Sequence, residues 1–415
     1  MLSSYPRRDK RALALDGLKW AMLAGVVGVL SGSASALFLV SLDAVTQWRV
    51  ANPLVVLLLP LAGAVLGYAY WRYGATSSRG NALVIEEIHD NKARVPARMA
   101  FFVLIGTLIT HLFGGSAGRE GTAVQMGASL ADSVRRVLGI SGNDRRLLLM
   151  AGVSAGFASV FGTPMAGFVF AMEVQSVGRV RYEGLLPCLV GALVGDLTTR
   201  AWGVGHSHYP ALSHLEVDAL LLGKVLLAGV VFGLASMAFV LWVEWVKEAL
   251  AQRVRLPYLR PMAGGAIVVA FALLLQTQDY LGLSLPLIKA SVNGESVFAG
   301  AFALKLVFTG ITLGAGFVGG EVTPLFVVGA TLGATLSPFL GVEQGLLASI
   351  GFVAVFAGAS NTPLACTLMG IELFGGGSAL YLLVGCFVAY FVSGHHSIYS
   401  TQRLDTPKVL RSFVG

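Results

Sequence analysis

Of the 415 residues, 12% are charged and 55% hydrophobic, against about a quarter charged in a soluble domain; a water-facing enzyme and a disordered chain are both excluded. The formal net charge of +7 gathers before the first apolar run (Arg7, Arg8, Lys10, Arg11) and after the last (Arg403, Lys408, Arg411). That pattern implies a membrane surface rather than nucleic acid, and the positive-inside rule predicts both termini in the cytoplasm. The 52 glycines have no three-residue period and suit close-packed membrane helices.

After a short N-terminal segment over residues 1–17, which lacks a cleavage pattern, uncharged stretches run over 20–42, 50–71, 147–172, 225–243, 261–278, 322–342, 344–371 and 373–394. Each approaches the ~20 residues of a spanning helix. Between the second and third lies Gly80-Asn81-Ala82-Leu83, where Asn81 offers an amide to a ligand or, read alone, an ordinary helix cap. Next comes Gly114-Gly115-Ser116-Ala117-Gly118-Arg119-Glu120-Gly121-Thr122, opening an apolar run. Glycines ahead of a helix let backbone N–H groups converge, and the helix dipole adds positive charge, so the segment reads as an anion site. Glu120 stands in its mouth and would compete with a free anion until protonated. The plainer reading is an Arg119–Glu120 structural pair. Ser154 in Gly152-Val153-Ser154-Ala155-Gly156 imitates a nucleophile elbow but lies inside an apolar helix, and no strand precedes it.

The stretches over 147–172 and 344–371 are interrupted by Gly162-Thr163-Pro164 and Asn361-Thr362-Pro363, so each is read as two helices meeting end to end. Irregular backbone at membrane depth survives only when buried in protein or lining a cavity. Thr163-Pro164-Met165-Ala166 with Glu173 recurs as Thr362-Pro363-Leu364-Ala365 with Glu372, and Gly118 and Gly127-Ala128 recur as Gly320 and Gly329-Ala330 at nearly the same offset. Two related halves are expected, near 18–205 and 206–400, followed by a cytoplasmic tail over 401–415; paired interruptions point to a transport site between them. Gly319-Gly320-Glu321-Val322-Thr323-Pro324 opens a second long helix. Glu321 either accepts that helix's free N–H groups or takes part in binding protons and ordering Val322 and Thr323 around an anion. Tyr399, taken alone, is an interfacial tyrosine. Cys188, Cys366 and Cys386 lack disulfide or zinc spacing, and His395-His396 is no metal motif.

These motifs, in this order over residues 18–405, resemble the CLC chloride channels and proton-coupled anion antiporters. Gly118-Arg119-Glu120-Gly121 resembles the gating-glutamate motif, Gly319 to Pro324 the second anion-site motif, Gly80-Asn81-Ala82 the first, and Tyr399 the anion-contacting tyrosine. The departures are specific. Thr122 stands for a proline, Asn81 for the anion-binding serine, Val322 for a phenylalanine, and Val174 for the inner proton-relay glutamate. That combination resembles the bacterial fluoride/proton antiporter branch. The resemblance implies an all-α polytopic membrane protein of two inverted repeats with many tilted and broken helices. It further implies a homodimer in the bacterial inner membrane and fluoride export driven by proton entry, with no cofactor, metal or nucleic-acid partner and no enzymatic activity. Glu120 and Glu321 would couple protons; Asn81, Gly118, Arg119, Gly121, Val322, Thr323 and Tyr399 would bind the anion. A chloride/proton antiporter or a passive anion channel of the same fold is the alternative.

Overall fold

The structure, a computed structural model, describes residues 10–92 and 94–408. Arg7, Arg8 and Arg411 therefore lie outside the described residues. The described residues are predominantly helical. In order the helices are α1 (Lys10–Ala51), α2 (Leu59–Ala69), α3 (Gly80–Asp90), α4 (Arg98–Leu112), α5 (Glu120–Leu138), α6 (Asn143–Phe161), α7 (Pro164–Glu173) and α8 (Leu185–Ala201) in the first half. The second half holds α9 (Ala219–Arg253), α10 (Arg260–Leu275), α11 (Leu285–Val292), α12 (Ala301–Gly314), α13 (Val322–Leu340), α14 (Gln344–Ser360), α15 (Pro363–Phe374) and α16 (Ala379–Val392). Two short strands, β1 (Ser176–Val177) and β2 (Arg403–Leu404), pair in parallel.

Polarity is turned inside out relative to a soluble protein. Leu54, Leu274 and Phe339 are among the most exposed side chains, whereas Thr107, His111, Ser116, Glu120 and Lys305 are fully buried. An apolar exterior, with polar side chains withdrawn into an otherwise apolar core, is what a hydrocarbon solvent selects. Among the described residues, five segments are long and apolar enough to cross a bilayer, including Ala14–Ala51, Ala219–Arg253 and Val322–Leu340. At 42 residues, α1 is about 63 Å long, far beyond the ~30 Å hydrocarbon core, so it runs tilted or projects from it.

Both expected interruptions are present and have the same construction. Gly162 ends α6 in the left-handed conformation with φ 72°, and Asn361 ends α14 the same way with φ 60°. Each is followed by threonine and then proline as the first residue of the next short helix. A left-handed residue closes the preceding helix, and proline at the first position needs no amide partner. The free amides at the starts of α7 and α15 are then satisfied reciprocally. Glu173, the last residue of α7, accepts from Leu364 N (3.1 Å) and Ala365 N (2.9 Å) of α15. Glu372 of α15 accepts from Met165 N (2.9 Å) and Ala166 N (2.8 Å) of α7. Exchange of equivalent caps relates the two repeats by an approximate two-fold.

The glycine pairs that mark the repeat also set its helix crossings. A Cβ added at Gly127 of α5 would lie 2.1 Å from the Gly152 carbonyl oxygen of α6, and one at Gly329 of α13 would lie 2.0 Å from the Gly351 oxygen of α14. Backbones that approach this closely tolerate only glycine. Ser154 of α6 donates to the Cys188 carbonyl at 2.7 Å; it is a packing hydroxyl, as its apolar context suggested.

Candidate anion site

The starts of α5 and α13 converge at the centre of the molecule. Gly118 N donates to Gly320 O (2.6 Å) and Gly320 N to Gly118 O (2.9 Å), an antiparallel bridge between equivalent residues of the two halves. Neither position admits a side chain. A Cβ on Gly118 would meet Glu120 Oε2 at 2.7 Å, and one on Gly320 would meet Gly121 N at 2.9 Å.

Into this junction folds the carboxylate of Glu120, which is 0% exposed. Its Oε2 accepts from Arg119 N (3.0 Å) and Thr323 N (3.0 Å), and its Oε1 accepts from the Thr323 hydroxyl. One amide comes from each helix start, so the carboxylate occupies the donors a free anion would use. Arg119 contributes its backbone more than its guanidinium: Nε is 3.8 Å from Glu120 Oε1 and is not hydrogen-bonded.

Two cavities are lined by residues beside the two helix starts, the smaller by a neighbour of Glu120 in the chain and a residue bonded to it. The larger, about 670 Å³, is lined by Gly80, Asn81, Gln125, Gly319, Glu321 and Ser400 among others. The smaller, about 20 Å³, is lined by Arg119, Ser207, Tyr209 and Thr323 among others. Asn81 reaches the larger one because the chain between α2 and α3 breaks twice, at Ala75 (φ 44°) and Gly80 (φ 54°), instead of continuing as one span. Its Nδ2 approaches Gly121, whose added Cβ would lie 3.1 Å away. Val322 and Thr323 are each 2% exposed and Tyr399 is 5% exposed. The Tyr399 ring meets Phe170 edge-on at 6.2 Å, at the end of a stack in which Phe157 and Phe170 lie 4.2 Å apart. Glu321 precedes α13 but hydrogen-bonds none of that helix's free amides. Of the two readings of Glu321, the capping one is not met: Glu120 from the opposite repeat takes the Thr323 amide, and Glu321 lies half-buried on the wall of the larger cavity.

Thr122 was noted from sequence only as a departure from proline, and Gln402 and Lys305 were not singled out. Thr122, in place of proline, bonds Thr107 of α4 through their hydroxyls at 2.6 Å and so braces α5. Gln402 donates to Val174 O (2.8 Å) and Ser360 O (3.0 Å), fixing the strap that carries Tyr399 against both repeats. Lys305 is the single charge in α12; its isolation in an apolar run was a legible signal.

Two helix starts, one from each repeat, meeting around one buried carboxylate place the chain in the class of membrane proteins with broken helices at a central site. The family model described as voltage gated chloride channel matches residues 61–394, and the chain belongs to that family, the CLC proteins. A chloride/fluoride channel protein of Pseudomonas syringae pv. tomato is 48% identical, the match covering 98% of this chain and 91% of that protein. The H(+)/Cl(-) exchange transporter ClcA of Vibrio vulnificus is 28% identical over 85% of this chain and 81% of its own. Among solved structures, a CLC-type fluoride/proton antiporter superposes with a TM-score of 0.92 at 34% identity, covering 96% of this chain and all of the other.

Proposed function

We propose that the chain is a proton-coupled fluoride antiporter that expels fluoride in exchange for proton entry, with Glu120 as the gate. The observation that carries this reading is the occupancy of the Arg119 and Thr323 amides by the Glu120 carboxylate. A carboxylate and an anion cannot hold the same donors, so anion entry requires Glu120 to leave. A protonated carboxyl, uncharged, loses the advantage that held it there. Proton and anion therefore alternate at one place. Support for fluoride comes from Asn81, whose amide offers two donors where a serine offers one, and from the fluoride/proton antiporter at TM-score 0.92.

In this scheme the Gly118, Arg119 and Gly121 backbone and the Val322–Thr323 start of α13 form the central anion site. Asn81 and Tyr399 bound it, and Glu321 supplies the proton-binding group that Val174 does not. The working unit is a homodimer with one pathway per subunit, in the bacterial inner membrane with both termini cytoplasmic. Reconstitution in vesicles tests the reading: an outward fluoride gradient should drive proton uptake against its own gradient, and a chloride gradient should do so weakly. Equal coupling to chloride would favour a chloride/proton antiporter, and fluoride flux that moves no protons uphill would make the protein a passive channel.

A further inference from the structure

The ammonium of Lys305 is 0% exposed in α12. Four oxygens surround it: Ser116 Oγ at 2.9 Å, Tyr280 O at 3.2 Å, Gly282 O at 2.7 Å and Ser284 Oγ at 2.9 Å. Among the described residues no carboxylate pairs with it. The nearby cation is Arg49 at the end of α1, which bonds Gln278 Oε1 at 3.4 Å and approaches Gly282. Burying an ammonium without a counter-ion costs several kcal/mol even when hydrogen-bonded, and a neutral donor would hold two loops together at lower cost. An ion this expensive calls for a task its charge or its reach performs.

Its place in the chain suggests the task. Ser116 lies two residues ahead of Gly118, in the loop that delivers the α5 donors. That loop is held from several sides. Ser116 Oγ is 2.9 Å from Thr309 Oγ1, Ser116 N donates to Thr312 Oγ1 at 3.1 Å, and Gly282 N donates to Gly115 O at 3.1 Å. His111 packs a ring nitrogen 3.0 Å from Ala117 O. One residue further on, Gly118 enters the bridge with Gly320 that sets the spacing of the two helix starts. The geometry points to Lys305 as a positioning residue for the anion site: acting through Ser116, it fixes the loop whose amides, together with those of α13, hold the anion. Its four oxygen partners are of the kind that solvate a monovalent cation, so the lysine serves as a tethered cation of fixed position. An anion at the site gains a preorganised pair of helix starts.

This inference rests on the anion-site reading above, and the measurement separates the two. Sodium fluoride and sodium chloride are titrated calorimetrically into purified wild-type protein, Lys305→Met and Ser116→Ala, with thermal unfolding recorded for each. If wild type binds chloride but not fluoride, the fluoride reading fails, while the ratio of variant to wild type for chloride still tests Lys305. Lys305→Met is expected to weaken anion binding at least tenfold. Ser116→Ala, which removes the loop's side-chain links to Lys305 and Thr309, should weaken it three- to tenfold. The double variant should bind no worse than Lys305→Met alone. A folded Lys305→Met with affinity within twofold of wild type, or fully additive losses in the double variant, would overturn the proposal. Should Lys305→Met fail to fold, Ser116→Ala decides alone, and unchanged affinity there counts against it.

Discussion

Replacing Glu120 by glutamine keeps the size of the side chain and removes its charge. In the closed site the carboxylate accepts from two amides and one hydroxyl. Hydrogen bonds to charged groups contribute about 1.5–3 kcal/mol each and neutral ones about 0.5–1.5, so the amide gives up roughly 1 kcal/mol per bond, or about 3 kcal/mol over the set. That corresponds to a closed state weakened on the order of 100-fold. Two outcomes are expected. Calorimetry at neutral pH should show tighter fluoride binding in Glu120→Gln than in wild type, because the competitor has lost its hold. In vesicles, fluoride-driven proton uptake should vanish and the acceleration of fluoride flux on acidification should flatten, since nothing at the gate is left to protonate. Glu120→Gln that still pumps protons against their gradient, with wild-type fluoride affinity, would refute the competition between carboxylate and anion.

Asn81→Ser exchanges two amide donors for one hydroxyl and should lower the preference for fluoride over chloride in paired vesicle-efflux assays by about tenfold, the weight of one donor of ~1.4 kcal/mol; unaltered selectivity in a folded protein would move discrimination elsewhere. Glu321→Gln should slow fluoride/proton exchange severalfold while leaving thermal unfolding unchanged, because this side chain carries no helix-capping bond; wild-type turnover would make it a bystander on the cavity wall. Gly127→Ala should lower the unfolding temperature by an amount equivalent to about 1–3 kcal/mol, since its methyl would meet the Gly152 carbonyl at 2.1 Å; a Tm equal to wild type would show that α5 and α6 can separate without cost.

Punctuation was the most legible part of the sequence. Thr163-Pro164 and Thr362-Pro363 break their helices where proline chemistry requires, and the recurrence of Glu173 and Glu372 has a physical counterpart in the exchanged caps. Charge scarcity identified the solvent. Gly118 and Gly320 stood out as equivalents in the repeat, yet their direct pairing was invisible, because alignment gives correspondence and says nothing of distance. The capping alternative for Glu321 fell for a related reason. A helix N-terminus attracts the nearest carboxylate in space, here Glu120 from the other repeat, and sequence ranks candidates only along the chain. Gln402 escaped notice, and Thr122 registered only as a replaced proline, because an amide or a hydroxyl is unremarkable until its partner, Val174 or Thr107, is known.

The exchanged caps on α7 and α15 also bear on biogenesis. The amides opening α7 are met by a carboxylate some two hundred positions later in the chain, about 10–40 s of synthesis at ordinary elongation rates. Through that interval the first half sits in the membrane with a helix end unsatisfied where water is scarce. Neither half is thus a finished folding unit, and each completes the other as the second emerges. Residues 1–205 and 206–415, supplied as separate polypeptides in one cell, should accordingly find each other and rebuild the carrier, while either alone should be cleared by membrane proteases.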